Sequence, residues 1–274
     1  MNKQPVSKTL HYTVLILLSL ITLLPVLWVV LSSFKPQSEL FRVPLTFIPQ
    51  DWTLENYVSS LAAGNFPVYF SNTVFVAVVS TALTVLINLM AGYALAKYIF
   101  AGRDIIFTVM IATLMIPLQV IMIPIFLQLK SLGMLNSLWG IIIPPAATPT
   151  GVFLARQYLV TLPNSLIEAA RIDGAREHTI FFRLILPMSK PIVATIAIFS
   201  FMWRWNDYLW PLIVITDNRK QTIQQALANF VGQLQINWSD LLAMTTIAII
   251  PVIIVFLAFQ RFFFSGIAAG SVKG

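Results

Sequence analysis

The sequence predicts an all-α membrane protein with six transmembrane helices. The mean hydropathy is +0.85, and 58% of the 274 residues are hydrophobic while only 10% are charged. Soluble domains carry about 25% charged residues. Several uncharged runs also reach the roughly 20 residues that a helix needs to cross about 30 Å of hydrocarbon. A soluble fold is therefore excluded.

The six predicted spans follow from the uncharged runs. Four runs are long enough to be spans as they stand: Thr9–Phe34, Ile105–Leu129, Ser131–Ala155 and Leu241–Gln260. A further run, 56–96, is long enough for an external segment followed by a span from about Phe70. Residues 191–216 are apolar apart from Arg204 and Asp207 and complete the set.

These spans predict four regions along the chain. Residues 1–34 form a short N-terminus and a retained first helix, which is too long for the core of a signal peptide. Residues 35–69 form an external loop, and 70–264 form a core of five helices that contains a polar loop at 157–190. Residues 265–274 form a tail. We expect the first helix to pack outside the five-helix core.

The distribution of basic residues predicts the orientation. With the N-terminus in the cytoplasm, eleven Lys and Arg residues fall in cytoplasmic segments and five in external ones. This bias follows the positive-inside rule. The net charge of +7 therefore reports membrane topology and not nucleic-acid binding. Both termini are predicted to be cytoplasmic, and so is the loop at 157–190.

The sequence lacks the motifs of an enzyme or of a nucleotide-binding subunit. It has no cysteine, no GxxxxGK[ST] phosphate loop, and no HExxH or GxSxG pattern. The two histidines, His11 and His178, are far apart in sequence. No catalytic residue, metal site or cofactor is therefore predicted in this chain. Energy for transport would have to come from another subunit.

Polar residues inside the predicted spans are candidates for a solute path. Arg204 and Asp207 are three residues apart and can pair, which lowers the cost of a charge in the membrane. The pair either only fixes helix packing, or Asp207 together with Asn206 and Tyr208 lines the route of a polar solute. Two further path candidates, Asn88 and Gln119, could equally form interhelical hydrogen bonds.

The external segment 221–238 predicts a short helix at the outer interface. Ile223, Leu227, Phe230, Val231 and Leu234 recur at helical spacing between Gln and Asn residues. Such a helix could rest on the lipid headgroups. It could also contact a partner that delivers the solute.

The stretch "NSLIEAARIDGAREHTIFFRLILPMSKP" makes the cytoplasmic loop unusually polar. Ser165 and Glu168 have the spacing of a capping box, which predicts that a helix begins there. Gly174 permits a left-handed turn, and a second segment from about Glu177 runs to Pro187. Such an elbow is either a solvated loop or a docking site, whose Arg171, Arg176 and Arg183 would pair with acidic groups of a partner.

Resemblance to a known family favours the docking site. Glu168, Ala169 and Ala170, three residues, Gly174, nine residues, Leu184 and then Leu186-Pro187 resemble the EAA motif of importer permeases of the ATP-binding cassette (ABC) family. Leu184 stands where the family has isoleucine. "TLENY", "WNDYLWPL", "IIPVIIVFLAFQRFF" and "GIAAGSVKG" resemble the carbohydrate-importing, MalG-like permeases of this family.

This resemblance implies a type I ABC importer permease fold, also called MetI-like, with a cytoplasmic coupling helix. The residues that it assigns to ATPase coupling are Glu168, Ala169, Ala170, Asp173, Gly174, Leu184 and Pro187, and the C-terminal tail could also reach the ATPase. It further implies a bacterial inner membrane and three kinds of partner. They are an ATPase dimer that carries ATP and Mg²⁺, a second, MalF-like permease, and an extracytoplasmic solute-binding protein.

Two other classes of function explain parts of the sequence less completely. An ion- or proton-coupled secondary transporter would use Arg204 and Asp207 as coupling groups, but it normally shows repeated halves, which this sequence lacks. A structural scaffold would leave the EAA-like stretch unexplained. The sequence does not specify which sugar, polyol or phosphate ester is carried.

Overall fold

The computed structural model describes residues 5–63, 65–232 and 236–270, and this part of the chain is helical with no β-strand. The α-helices in chain order are α1 (Pro5–Ser32), α2 (Gln37–Leu40), α3 (Glu55–Ala63), α4 (Phe66–Lys97), α5 (Arg103–Ala112), α6 (Leu118–Ser131), α7 (Leu138–Ile142), α8 (Pro149–Val160), α9 (Asn164–Ile172), α10 (Glu177–Ile180), α11 (Leu186–Met188), α12 (Lys190–Trp205), α13 (Leu209–Val214), α14 (Ile223–Val231) and α15 (Trp238–Gly270).

The chain divides into two compact units. One consists of Met1–Pro67 with Ala226–Ile250, and the other of Val68–Gln225 with Pro251–Gly274. The second unit holds the segment that resembles the EAA motif and the polar residues of the predicted solute path. The region boundaries predicted at residues 34, 69 and 264 stay predictions.

Among the described residues, three helices are each long and apolar enough to cross a membrane. They are Leu10–Ser32 of α1, Phe66–Lys97 of α4 and Trp238–Gln260 of α15. None of the residues in the most apolar window of α1 is buried within the chain. Three bent helix pairs would raise the number of spans to as many as six. The prediction of long apolar helices is confirmed at these three places, while the number of six stays a prediction.

The spans predicted at Ile105–Leu129 and Ser131–Ala155 are not continuous helices. In the first, α5 and the 3₁₀ turn Thr113–Met115 meet α6 at an angle of 106°. Pro117 lies at this break. It favours the break because proline lacks a backbone N–H and disfavours helical geometry in the residue before it. In the second, the helical stretch Leu138–Ala146 meets α8 at 43° across a proline-rich break.

The span predicted at 191–216 is also divided. α12 ends at Trp205, and α13 begins at Leu209. Asp207 therefore lies between two helices. The three-residue spacing had suggested that it shares a helix with Arg204, but it does not. At its other end, α12 meets the stretch Glu177–Met188 at an angle of 80°.

The segment predicted to be external contains a folded part, which we call the cap, held by the buried carboxylate of Glu39. Glu39, 4% exposed, accepts hydrogen bonds from the Thr46 hydroxyl at 2.8 Å and from the backbone N–H groups of Gln50 at 3.0 Å and Asp51 at 3.2 Å. Burial alone would raise the pKa of Glu39, but these bonds and the nearby Lys35 cation hold it below its ordinary value. Lys35 is itself 3% exposed and donates to Thr46.

A buried apolar cluster in the second unit positions the EAA-like segment. Leu89 and Tyr93 of α4, Leu159 of α8 and Ile167 of α9 pack together with Phe181. Ile167, which is 4% exposed, is the buried residue of α9, and it attaches this short helix to the rest of the unit. The opposite face of α9 remains exposed.

Candidate coupling segment and intramembrane polar residues

The candidate coupling segment, residues 164–188, begins one residue earlier than the capping box predicted. Pro163 precedes α9 with φ −62° and ψ 131°, and the helix start has no side-chain capping hydrogen bond. The capping-box prediction was therefore wrong. Since the extended backbone of Pro163 occupies the cap position, Ser165 falls inside the first turn. Among the described residues, Glu168 has no hydrogen bond or ion pair and is exposed, so its carboxylate is available to a partner.

Gly174 ends α9 in a Schellman motif. Its φ is +78°, and its N–H donates to the Arg171 carbonyl at 3.0 Å while the Ala175 N–H donates to the Ala170 carbonyl at 2.9 Å. This left-handed position strongly favours glycine. The predicted sharp turn is confirmed. A Cβ added at Gly174 would meet no atom within 4 Å, so open space faces this residue.

The exposed face of α9 combines small, apolar and acidic side chains. Glu168, Ala169 and Asp173 are exposed, and Ala170 is half-buried against the cluster around Ile167. Ile172 is 86% exposed. A partner's backbone could approach Ala169 and Gly174 closely because little side-chain volume covers the elbow.

Arg171 pairs with Glu177 within the chain, and its pairing with an acidic group of a partner stays a prediction. Its Nε lies 2.7 Å from Glu177 Oε1. The other oxygen of Glu177 accepts a hydrogen bond from the Tyr98 hydroxyl, and the Arg171 guanidinium lies 5.5 Å from the centre of the Tyr98 ring. Arg176 and Arg183 are exposed and have no ion pair among the described residues, so they remain available to acidic groups.

The second half of the motif lies in a π-helical turn. Residues 181–185 form this turn, in which the Leu186 N–H donates to the Phe181 carbonyl five residues earlier. Pro187 cannot donate to the Arg183 carbonyl, which favours such a local widening. Leu184 is half-buried against the cluster, whereas Pro187 is exposed. The predicted segment from about Glu177 to Pro187 is thus observed as Glu177–Met188.

Arg204 and Asp207 form a largely buried ion pair. Their closest N···O distance is 3.8 Å, and the side chains are 11% and 19% exposed. Asp207 also accepts a hydrogen bond from the Trp210 N–H at 3.2 Å, so it caps the start of α13. Asn206 and Tyr208 are exposed beside it. These contacts give the pair a structural role, and they leave the two exposed neighbours able to contact a solute.

Asn88 and Gln119 lie in different surroundings. Asn88 is fully buried, donates to the Thr148 hydroxyl at 2.8 Å and accepts from the Thr148 N–H at 3.0 Å. This geometry favours the interhelical hydrogen bond over a solute contact. Gln119 is exposed near the start of α6, beside the 106° break. Its role in a solute path stays a prediction.

A cavity of about 140 Å³ lies between α4, α8 and α12. Ser200 and Arg204 are among its lining residues, and Ser200 Oγ and Arg204 Nε have no hydrogen-bond partner. None of the five residues predicted for the solute path lines this cavity. No group of three or more possible metal ligands occurs within the described residues.

Sequence reasoning missed two residues, Lys97 and Tyr98, that contact the candidate coupling segment. Lys97 donates to the Leu162 carbonyl at 2.6 Å and to Asn164 Oδ1 at 2.8 Å, and Tyr98 and Glu177 share a hydrogen bond. The only available signal was the polar end of an otherwise uncharged run at residue 97. That signal indicates a membrane boundary and does not identify a partner 65 to 79 residues away in sequence.

Comparisons with known proteins agree with this arrangement. A family described as "Binding-protein-dependent transport system inner membrane component" matches residues 88–268. The arabinooligosaccharides transport system permease protein AraQ of Halalkalibacterium halodurans is 38% identical over 260 residues, which cover 94% of this chain and 93% of that protein. The diacetylchitobiose uptake system permease protein NgcG of Streptomyces coelicolor is 35% identical over 268 residues, with 96% and 88% covered.

A solved structure shares the fold. It is described as a bacterial ABC transporter involved in the import of the acidic polysaccharide alginate, and one of its chains matches with a TM-score of 0.85 and 25% identity. The match covers 96% of this chain and 99% of that chain. The predicted ABC importer permease fold is confirmed, and no relative supports the ion-coupled alternative. The chain belongs to the family of binding-protein-dependent transport system inner membrane components, as a non-enzymatic membrane permease subunit whose family implies an ATPase and a binding protein as partners.

Proposed function

We propose that this permease imports oligosaccharides or related sugar derivatives across a bacterial inner membrane, with both termini in the cytoplasm. The named relatives carry arabino-oligosaccharides and diacetylchitobiose, and the structural relative takes part in alginate import. These solutes differ in charge and in sugar unit but share a hydroxyl-rich chain. The observation that carries the proposal is the high identity over almost the whole chain, which includes the candidate coupling segment.

The mechanism that we propose divides the work among several subunits. Two copies of an ATPase bind ATP and Mg²⁺, and their closure moves the candidate coupling segment of this chain and that of a second, MalF-like permease. The bundles then change from inward-facing to outward-facing. An extracytoplasmic binding protein delivers the solute to the outer mouth.

The residues of the segment have distinct roles in this proposal. Glu168, Ala169 and Asp173 present an exposed face to the ATPase, and Ala170 packs beneath it. Gly174 ends the helix without side-chain bulk. Leu184 holds the second arm of the elbow against the cluster, and Pro187 shapes its π-helical turn.

The solute path is proposed to pass Asn206 and Tyr208, which are exposed beside the buried Arg204–Asp207 pair. Gln119 is exposed at a helix break and remains a candidate. Asp207 and Asn88 are held by bonds within the chain. We therefore propose that these two residues act on the path by fixing the helices around it.

The experiment reconstitutes this chain in liposomes with its ATPase, second permease and binding protein. We expect uptake of a labelled oligosaccharide that requires both ATP and the binding protein. A panel that includes arabino-oligosaccharides and diacetylchitobiose identifies the solute. Uptake driven by an ion gradient without ATP, or no uptake of any oligosaccharide by an assembled complex that hydrolyses ATP, would contradict the proposal.

A further inference from the structure

The end of α4 contacts the candidate coupling segment at two separate places. At the first place, Lys97 Nζ donates to the Leu162 carbonyl at 2.6 Å and to Asn164 Oδ1 at 2.8 Å. These acceptors lie immediately before and at the beginning of α9. One cation therefore fixes the start of the helix that carries the small-residue face.

The second place is a shared carboxylate, which we call the Glu177 clamp. One oxygen of Glu177 accepts the Tyr98 hydroxyl, and the other accepts Arg171 Nε at 2.7 Å. Tyr98 directly follows α4, Arg171 lies near the end of α9, and Glu177 begins α10. Both arms of the elbow and the end of α4 thus meet at one side chain.

The Glu177 clamp lies on packed aromatic rings. The Tyr98 and Tyr93 ring centres are 5.5 Å apart, and Tyr93 and Phe181 are 5.7 Å apart. Arg171 and Glu177 are 41% and 48% exposed, so the ion pair alone contributes little. The bond from the Tyr98 hydroxyl to a carboxylate is charge-assisted and therefore stronger than a neutral hydrogen bond.

Helix α4 extends from this contact deep into the same unit. Gly92 packs so closely on α8 that an added Cβ would lie 2.6 Å from Ala155 Cβ. Farther along, Asn88 bonds to Thr148 at the start of α8. With 32 residues, α4 is about 48 Å long. The contacts of Gly92 and Asn88 with α8 give a displacement of the Lys97 end of α4 a direct route to α8.

We propose that Lys97 and Tyr98 are positioning residues that transmit the displacement of the candidate coupling segment to α4 and α8. The inference rests on the proposed function, because it assumes that the ATPase moves this segment. The competing route runs along the chain itself, through the 80° bend into α12. If that route alone operated, the side-chain contacts of α4 would only stabilise the elbow.

The first test is Tyr98→Phe in the complete reconstituted complex. Phenylalanine keeps the ring and removes only the hydroxyl that binds Glu177. A lost hydrogen bond to a charged group corresponds to a factor of about ten or more in population. We therefore expect about a tenfold fall in solute transported per ATP hydrolysed, with normal assembly and an unchanged ATPase rate.

Tyr158→Phe is the matched control. Its hydroxyl donates to the Met188 carbonyl at 2.9 Å. The control therefore removes one tyrosine hydroxyl bond at the far end of the same segment, and this bond does not involve α4. We expect its transport per ATP to equal that of the wild type. An equal loss in this control would overturn the proposal, since general loosening of the segment would then explain both variants.

Lys97→Met and Lys97→Arg test the other contact. Methionine removes the donor and arginine keeps a cation, so we expect the first to lower transport per ATP and the second to restore most of it. Unchanged transport per ATP in both Tyr98→Phe and Lys97→Met would overturn the proposal. Failure of the proposed function is recognised separately, because the wild-type chain itself would then show no ATP-dependent uptake.

Discussion

Substitution of Gly174 separates a backbone role from a contact role in the candidate coupling segment. Gly174 has a φ of +78° and holds two hydrogen-bonded turns at the end of α9. A Cβ at this position meets nothing within 4 Å of the chain itself. A new side chain therefore strains the backbone but collides with no neighbour in this chain.

The backbone cost depends on the residue introduced. An ordinary L-residue in the left-handed region costs about 1–2 kcal/mol, which corresponds to about 5–30-fold in population. Asparagine adopts this region several times more readily than most residues, whereas a β-branched residue is a true outlier there. Gly174→Asn should therefore keep the elbow, and Gly174→Val should distort it.

The assay measures membrane insertion, co-purification of the ATPase and solute uptake for both variants. We expect normal insertion in both and no transport by Gly174→Val. Gly174→Asn should also transport at least about tenfold less than the wild type, because its side chain occupies the open space that the ATPase needs. Wild-type transport by Gly174→Asn would refute the contact role, and wild-type transport by Gly174→Val would refute both roles.

Three further predictions concern other parts of the chain. Ala169→Leu should reduce ATPase co-purification and uptake because it adds bulk to the exposed face, while Ala62→Leu in α3, a segment predicted to be external, should change neither. Replacing Asp207 alone by leucine should lower the free energy of unfolding by about 3–5 kcal/mol, because it leaves the Arg204 cation buried without a partner. Replacing Arg204 and Asp207 together should lower it by less. Thermal unfolding in detergent compares the two variants, and equal losses of stability would contradict the buried ion pair. Because the pKa of Glu39 lies below its ordinary value of 4.5, its carboxylate stabilises the cap above about pH 4.5, and this contribution is lost as the pH falls through the lowered pKa. The difference in melting temperature between wild type and Glu39→Gln should stay constant from about pH 8 to 5 and shrink below about 4.5, and a difference that shrinks already above pH 5 would contradict this.

Local chemistry predicted the parts of the fold that depend on near neighbours in sequence. The apolar runs predicted α1, α4 and α15, because about 20 apolar residues have few stable alternatives in a membrane. Gly174 predicted the left-handed turn that the Schellman motif requires. The EAA-like spacing identified the family, which the matched residues 88–268 confirm.

Features that depend on distant residues were not predictable in this way. The same uncharged composition suits a straight helix and one bent by 106° at Pro117, so run length alone predicted the wrong shape there. Ser165 and Glu168 had the spacing of a capping box, but Pro163 took the cap position. The Tyr98–Glu177 bond joins residues 79 positions apart, and no local pattern reports such a pair.

The face of α9 around Ala169 is the surface that we propose to dock on the ATPase. The chain contains no cysteine, so Ala169→Cys introduces a single reactive thiol, and Ala62→Cys provides an external control. We predict that a short reagent that reacts with a thiol at one end and with a lysine amine at the other cross-links Ala169→Cys, but not Ala62→Cys, to the ATPase in the assembled complex, with a yield that changes when ATP is added. A transport-active complex in which Ala169→Cys gives no ATPase cross-link, or reacts with a membrane-impermeant reagent from the external side, would contradict the account.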